Sequence, residues 1–238
     1  MSQDMTYQWA LPANLNVPPD RLRLRLDFFT ETILLHQVDE EGRVTTRMVS
    51  AHDIARTITR EATFSSGLLP RGSLWWSAGP NGAQVAIYRP PRVWKAALQV
   101  EAFQPPRRFA LPMPALVFLC NQARPPWVYA LKRIPRGLDE PVFQAPLFNV
   151  FRNGQSCPGT HAFPENSEEI PESFFTSFFS HAGDMHGRSM RYPHDLRALW
   201  EELDGKKTYP MGDLVQIGTI EELMEGRIDA TSRIPDEL

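Results

Sequence analysis

Cysteine is scarce in this chain: Cys120 and Cys157 are the two in 238 residues. That excludes a disulfide-stapled scaffold and fits a reducing, cytoplasmic setting. Long apolar runs are missing too. The most apolar stretch, Ala110 to Cys120, is interrupted by Pro112 and Pro114 and falls short of the about 20 residues of a membrane span. The first residues, MSQDMTYQWALPANL, have neither the basic start nor the apolar core of a secretory signal. A strong charge of one sign is also lacking. The net charge of −3 gives the whole chain no pull on nucleic acid. There is no phosphate-binding Gly-rich loop ending in Lys-Ser/Thr, no G-x-S-x-G elbow, no H-E-x-x-H and no C-x-x-C. These absences leave a globular protein without an expected metal or organic cofactor, membrane anchor or direct nucleic-acid role.

Proline, by contrast, is abundant, at 22 residues. Pro18-Pro19, Pro90-Pro91, Pro105-Pro106 and Pro125-Pro126 punctuate the chain, because each doublet stops a helix and removes ladder donors. The polar, Pro-rich residues 1–20 read as a flexible arm. Leu22, Leu24 and Leu26 alternate with Arg21, Arg23 and Arg25, the period of a half-buried strand. The turn Asp39-Glu40-Glu41-Gly42 predicts a hairpin to a second strand near Arg43–Val49. Ser50-Ala51-His52-Asp53 then opens a helix with Ile54, Ile58 and Ala62 on one face.

Strands follow at Leu74–Ser77, Gln84–Tyr88, Val93–Phe103, Leu116–Cys120 and Trp127–Lys132, the first two joined by Gly79-Pro80-Asn81-Gly82. They read as an antiparallel meander. Ile134–Pro146 reads as a loop and Leu147–Phe151 as a short extended piece. Phe174, Phe175, Phe178 and Phe179 share one face of a predicted helix after Pro171. Pro193–Leu203 predicts another helix, closed by Gly205, and Thr219-Ile220-Glu221-Glu222 is a capping box opening a short third one. Strands first and helices later indicate an α+β fold: an antiparallel meander sheet followed by helices.

Charge is segregated. Residues 88–136 hold nine Arg or Lys and one acid, whereas residues 165–204 hold nine acids and three Arg. The two segments either attract each other within the domain or present a basic surface, with Arg89 and Arg92 as contacts, to an acidic partner. Trp75, Trp76 and Trp94 near those arginines read as core rather than as base-stacking platforms.

The candidate nucleophiles are the two thiols. Cys120 ends an apolar strand and reads as core. Cys157 lies in a polar loop between Asn153-Gly154 and Pro158-Gly159, where an accessible thiolate is able to attack a carbonyl. His161, His181, His186 and His194 follow it closely. His181 is the preferred base, with compensation of a helix C-terminus as the alternative role. The spacing of these histidines from Cys157 matches no standard zinc finger. Asp184, in a Gly-containing loop, is either a proton acceptor or a turn residue.

The frame Asn149-x4-Gly154-x2-Cys157 resembles the active-site stretch of ubiquitin-conjugating enzymes, which reads His-Pro-Asn, an Asn-Gly turn, then Ile-Cys. Here Leu147-Phe148 stands in place of His-Pro, Pro158 follows the cysteine, and Glu165 stands where a Trp is usual. The order of meander, cysteine and helices is similar as well. Carried over by position, the resemblance makes Cys157 the thioester acceptor and Gly154 part of its frame. Asn149 becomes the amide that supports the loop and stabilises the oxyanion.

Longer blocks resemble the protein B family of the PRTRC system of plasmids and mobile elements, a prokaryotic ubiquitin-conjugating-like family. They are Gly72-Ser73-Leu74-Trp75-Trp76, Tyr88 to Trp94, Phe148-Asn149-Val150 through Cys157-Pro158-Gly159-Thr160, and Phe174 to His181. That resemblance implies three partners: a ubiquitin-like protein, a ThiF-type activating enzyme and a JAB-type peptidase. It divides the chain into the arm (1–20), a hairpin-plus-helix extension (21–66), a ubiquitin-conjugating-like core (67–226) and a tail (227–238). Acyl transfer from Cys157 to an amine is the activity it implies. The alternative is an inactive adaptor that keeps the fold as a docking surface. A free-standing cysteine hydrolase is disfavoured, since no histidine precedes Cys157 in a recognisable signature.

Overall fold

The computed structural model describes residues 24–39, 41–61, 66–79, 82–101, 103–157, 159–180 and 186–228. The predicted arm at 1–20 and all but two residues of the tail lie outside this set. The chain divides into two compact units, Met1–Ser65 and Ser66–Leu238.

The first unit is a three-stranded antiparallel sheet, β1 (Leu24–Phe28), β2 (Ile33–Val38) and β3 (Val44–Val49), in that order, followed by α1 (Ala51–Glu61). One strand more is present than the hairpin expected from sequence. The turn at Asp39–Gly42 joins β2 to β3, and Leu24–Phe28 pairs with β2 rather than with β3. The helix start is as read: Ser50 Oγ accepts from Asp53 N at 3.0 Å and donates to Asp53 Oδ2 at 2.7 Å, a reciprocal cap.

In the second unit, β4 (Ser73–Gly79) and β5 (Gly82–Arg89) form the predicted hairpin, with Gly79 paired to Gly82. Next come β6 (Arg92–Gln99), β7 (Arg107–Met113), β8 (Ala115–Cys120) and β9 (Trp127–Leu131). β5 pairs with β8 and β6 with β7. The last pair before the prolines is Arg89↔Leu116 and the first after them is Arg92↔Met113, so three residues pass on each strand and the register never slips. β5–β6 and β7–β8 are therefore two long strands, each bent where Pro90-Pro91 stands opposite Pro114. Proline supplies no ladder N–H, so the ribbon interrupts its bonding and folds over there. β7 was not expected as a strand of its own.

The segment read as a loop at Ile134–Pro146 contains β10 (Pro141–Gln144), and β12 (Gln216–Thr219) pairs beside it. The six-stranded sheet runs β12-β10-β9-β8-β5-β4. A smaller sheet runs β11-β6-β7, where β11 is Phe178–Ser180, parallel to β6. Here the predicted Phe-rich helix is corrected. α2 (Ile170–Thr176) ends at an extended Ser177, and Phe178 and Phe179 continue as strand. Strand alternation then separates them, Phe178 at 66% exposure and Phe179 fully buried.

α3 (Leu196–Leu203) is capped by Asp195, whose carboxylate accepts from Ala198 N at 3.0 Å. Pro193 precedes that cap instead of opening the helix. α4 (Ile220–Met224) has the predicted capping box on Thr219 and Glu222.

Both faces of β8 are buried, which is why its sequence reads as one apolar run. Leu116, Phe118 and Cys120 join the core that contains Phe174 and Phe175 of α2 and Leu199 and Trp200 of α3. Val117 and Leu119 face the second core, with Ile217, Ile220 and Leu223. Among the described residues, no helix is long and apolar enough to cross a membrane.

Candidate active site

The segment 145–157 crosses between β10 and the Cys157 loop, and its anchors are mostly in the core. Leu147 and Phe148, at the positions where the resemblance has His-Pro, are fully buried. Phe148 meets the Trp200 ring edge-on at 4.8 Å, and Trp200 Nε1 donates to Pro146 O at 3.0 Å. The expected extended piece at Leu147–Phe151 is a turn instead, because Asn149 has φ +59°. Asparagine is one of the few side chains that tolerates this left-handed region.

From Asn149 the chain makes a tight hairpin. Val150 bridges Ser156, Phe151 N donates to Gln155 O at 2.7 Å, and Gly154 N returns to Phe151 O at 2.9 Å. Gly154 has φ +84°, the conformation that closes a three-residue hairpin loop with a bulge. It is also fitted against Tyr129: a Cβ at position 154 would stand 2.6 Å from the Tyr129 hydroxyl oxygen. That hydroxyl donates to Asn153 O at 2.6 Å. The hairpin is pinned to the start of β9 by Val128 N to Gly154 O, 2.7 Å, and by Ser156 Oγ to Pro126 O, 2.6 Å. Buried Arg188 donates to the carbonyl of Val150.

Cys157 is the next residue, half-buried, with its N–H donating to Asn149 O at 2.7 Å. The Asn149 side chain reaches the other way. Its Nδ2 donates to Phe178 O at 2.9 Å, and its Oδ1 accepts from Ser180 N at 3.0 Å and Ser180 Oγ at 3.1 Å. One asparagine thus ties the cysteine turn to β11. Asn149 and Cys157 share a cavity of about 270 Å³ with Gly159, Thr160, His161, Phe163, Phe174, Thr176, Ser177 and Phe178.

The other candidates separate. Cys120 is buried, and burial pushes its thiol up to about 12. His181 and Asp184 lie outside the described residues. His186 and His194 bond each other through Nδ1 atoms 2.8 Å apart and do not line the Cys157 cavity. His161, named by the sequence but not preferred there, does line it, with Nε2 2.8 Å from Ser173 Oγ. The roles of Ser173 and Ser180 are not legible in the sequence: Ser180 lies within the block Phe174–His181, but its bonds are to Asn149, and Ser173's is to His161, both distant along the chain.

Arg89 and Arg92 both pair with one carboxylate of the same unit, Arg89 mostly enclosed and Arg92 42% exposed. Arg89 makes a two-point contact with Glu172, both distances 3.0 Å, and Arg92 reaches the same carboxylate at 3.2 Å. Trp94 is buried, stacked on Phe175 at 4.0 Å with the Arg92 guanidinium over its ring. Among the described residues, no group of three or more His, Cys, Asp or Glu could hold a metal ion.

An antiparallel meander, a pinned turn ending in a half-buried cysteine, and helices behind it form one arrangement. A comparison with known protein families matches residues 48–217 to prokaryotic E2 family D. The chain belongs to that family. The match takes in α1, the meander, the Asn149–Cys157 turn and the helices α2 and α3. E2 proteins are of the ubiquitin-conjugating type, so family D places the chain generally among proteins that work with a ubiquitin-like protein and its activating enzyme. The comparisons with curated proteins and with solved structures give no match.

Proposed function

We propose that this family D protein carries a ubiquitin-like protein as a thioester on Cys157. It would accept the modifier from a ThiF-type activating enzyme and pass it to an amine. The observation that carries this reading is the placement of Cys157. It is the half-buried thiol of the chain, it opens on a cavity, and its backbone is held by Asn149, itself locked to β11. A thioester carrier needs a thiol that a large partner can reach and a carbonyl site with fixed donors nearby. Asn149 lines that cavity with its amide engaged by Phe178 and Ser180, which supports the scaffolding role carried over for it.

The blocks resembling the PRTRC protein B family support a setting in a mobile-element cassette, with a JAB-type peptidase as a further partner. Glu172 engages both Arg89 and Arg92, which supports attraction within the unit, while the exposed side of Arg92 leaves it available to an acidic partner.

The test is a non-reducing gel of the protein with a ubiquitin-like protein and ThiF-type activating enzyme from its own source, and ATP. The expected result is a band shifted by one modifier, removed by thiol reductant and absent in Cys157→Ala. A band that persists in Cys157→Ala moves the acceptor elsewhere. No band beside a charged activating enzyme supports the adaptor instead.

A further inference from the structure

Among the described residues lining the Cys157 cavity, one titratable side chain accompanies the thiol, and it is His161. Its Nε2 is engaged by Ser173 Oγ at 2.8 Å, and its ring meets Phe163 edge to face at 4.9 Å. The ring is therefore held from two sides, and with Nε2 engaged by Ser173, Nδ1 is taken as the reacting nitrogen. No carboxylate is among those lining residues. Glu172, adjacent to Ser173 on α2, is ion-paired with Arg89 and Arg92. Lining residues without a carboxylate give an ammonium no partner among the described residues, and a neutral amine is the form they admit. An acceptor nitrogen must lose a proton as it attacks, and a ring nitrogen of His161 is the proton acceptor among the described lining residues.

Building on the thioester reading of Cys157, we propose that His161 is the base for aminolysis of the acyl group on that cysteine, with a primary amine as acceptor. The amine enters neutral. Its lone pair forms the C–N bond at the thioester carbonyl while His161 Nδ1 takes one of its two protons. The C–S bond breaks with its electron pair on Sγ, and the imidazolium returns the proton to that sulfur. Amide and free thiol are the products, and His161 ends neutral. Ser173 is the positioning residue, fixing the ring through Nε2.

The experiment acylates the chain chemically, so that it does not depend on an activating enzyme. A Gly-Gly peptide thioester of mercaptoethanesulfonate is exchanged onto Cys157. Discharge onto free lysine is then followed by intact mass, with peptide mapping of the acylated thiol. His161→Gln keeps a polar group within reach of Ser173. It is expected to acylate as wild type and to discharge about 100-fold more slowly, the scale of a lost general base. Ser173→Ala is expected to show a smaller loss of discharge alone. Wild-type discharge by His161→Gln would overturn the proposal. So would a loss carried by His181→Gln in its place, or a fall in acylation with discharge per acylated chain unchanged. Failure of the thioester reading itself appears separately, as absence of charging by the activating enzyme.

Discussion

The backbone N–H of Cys157 donates to the carbonyl of Asn149, while the Asn149 side chain holds Phe178 and Ser180. The residue that positions the thiol is thus itself positioned by a strand some thirty residues further on. Substitution at 149 separates its two roles. Asn149→Ala removes the side-chain bonds, each worth about 0.5–1.5 kcal/mol, and replaces a residue that tolerates φ +59° by one that lacks its local polar compensation there, at up to about 1–2 kcal/mol. Asn149→Gly removes the same bonds without that backbone cost. Urea denaturation should therefore place Asn149→Ala below Asn149→Gly, and both below wild type. Equal midpoints for the two variants would show that the left-handed backbone is not what the asparagine is there to hold.

Gly154 makes a stricter demand. Alanine there meets both the left-handed φ and the Tyr129 ring, which is buried and bonded to Asn153. Backbone strain and overpacking together should destabilise Gly154→Ala by about 2–4 kcal/mol. Combining it with Tyr129→Ala should recover part of that loss. Simple additivity of the two changes in a thermal melt would rule out the steric account.

Parts of this architecture are legible from local pattern and parts are not. The β4–β5 hairpin, the cap on α1 and the capping box of α4 depend on residues two to four apart, and the side chains name them. The Asn149-Gly154-Cys157 frame is readable for the same reason, since the hairpin that closes it is local. Phe178 and Phe179 mislead because two adjacent aromatics at i+4 and i+5 fit a helical face. Only the extended backbone at Ser177 and the parallel pairing with β6 reveal a strand. The uninterrupted register through Pro90-Pro91 and Pro114 is a property of two strands together, so no single segment displays it. The same holds for His161 and Ser173, whose contact depends on where α2 packs.

The thiols should differ sharply in reactivity. Cys120 is 1% exposed and burial raises its pKa to about 12, so its thiolate is scarce as well as inaccessible. Cys157 is half-buried on an open cavity. Iodoacetamide at neutral pH should label Cys157 alone in the native protein and both thiols in guanidinium. Peptide mass mapping reads the outcome. Native labelling of Cys120 at a comparable rate would contradict the packing of β8.

Glu172 links the basic β5–β6 bend to α2. Burial raises its pKa, but the hydrogen bonds and charge of Arg89, helped by Arg92, outweigh that and hold the carboxyl below its ordinary value of 4.5. A carboxyl depressed in the folded state stabilises it above the unfolded value, and the contribution is lost as pH falls through the folded one. Arg89 is mostly enclosed, its side chain 13% exposed, but Glu172 is 46% exposed, so solvent screens the pair and its contribution lies toward the upper end of the about 0–1 kcal/mol of a surface bridge. Glu172→Gln should lower the denaturation midpoint at pH 7 and converge on wild type as the buffer is taken down through and below pH 4.5. A gap of constant size across that range would mean the charge on Glu172 contributes nothing, and that its amide isostere fails for packing reasons alone.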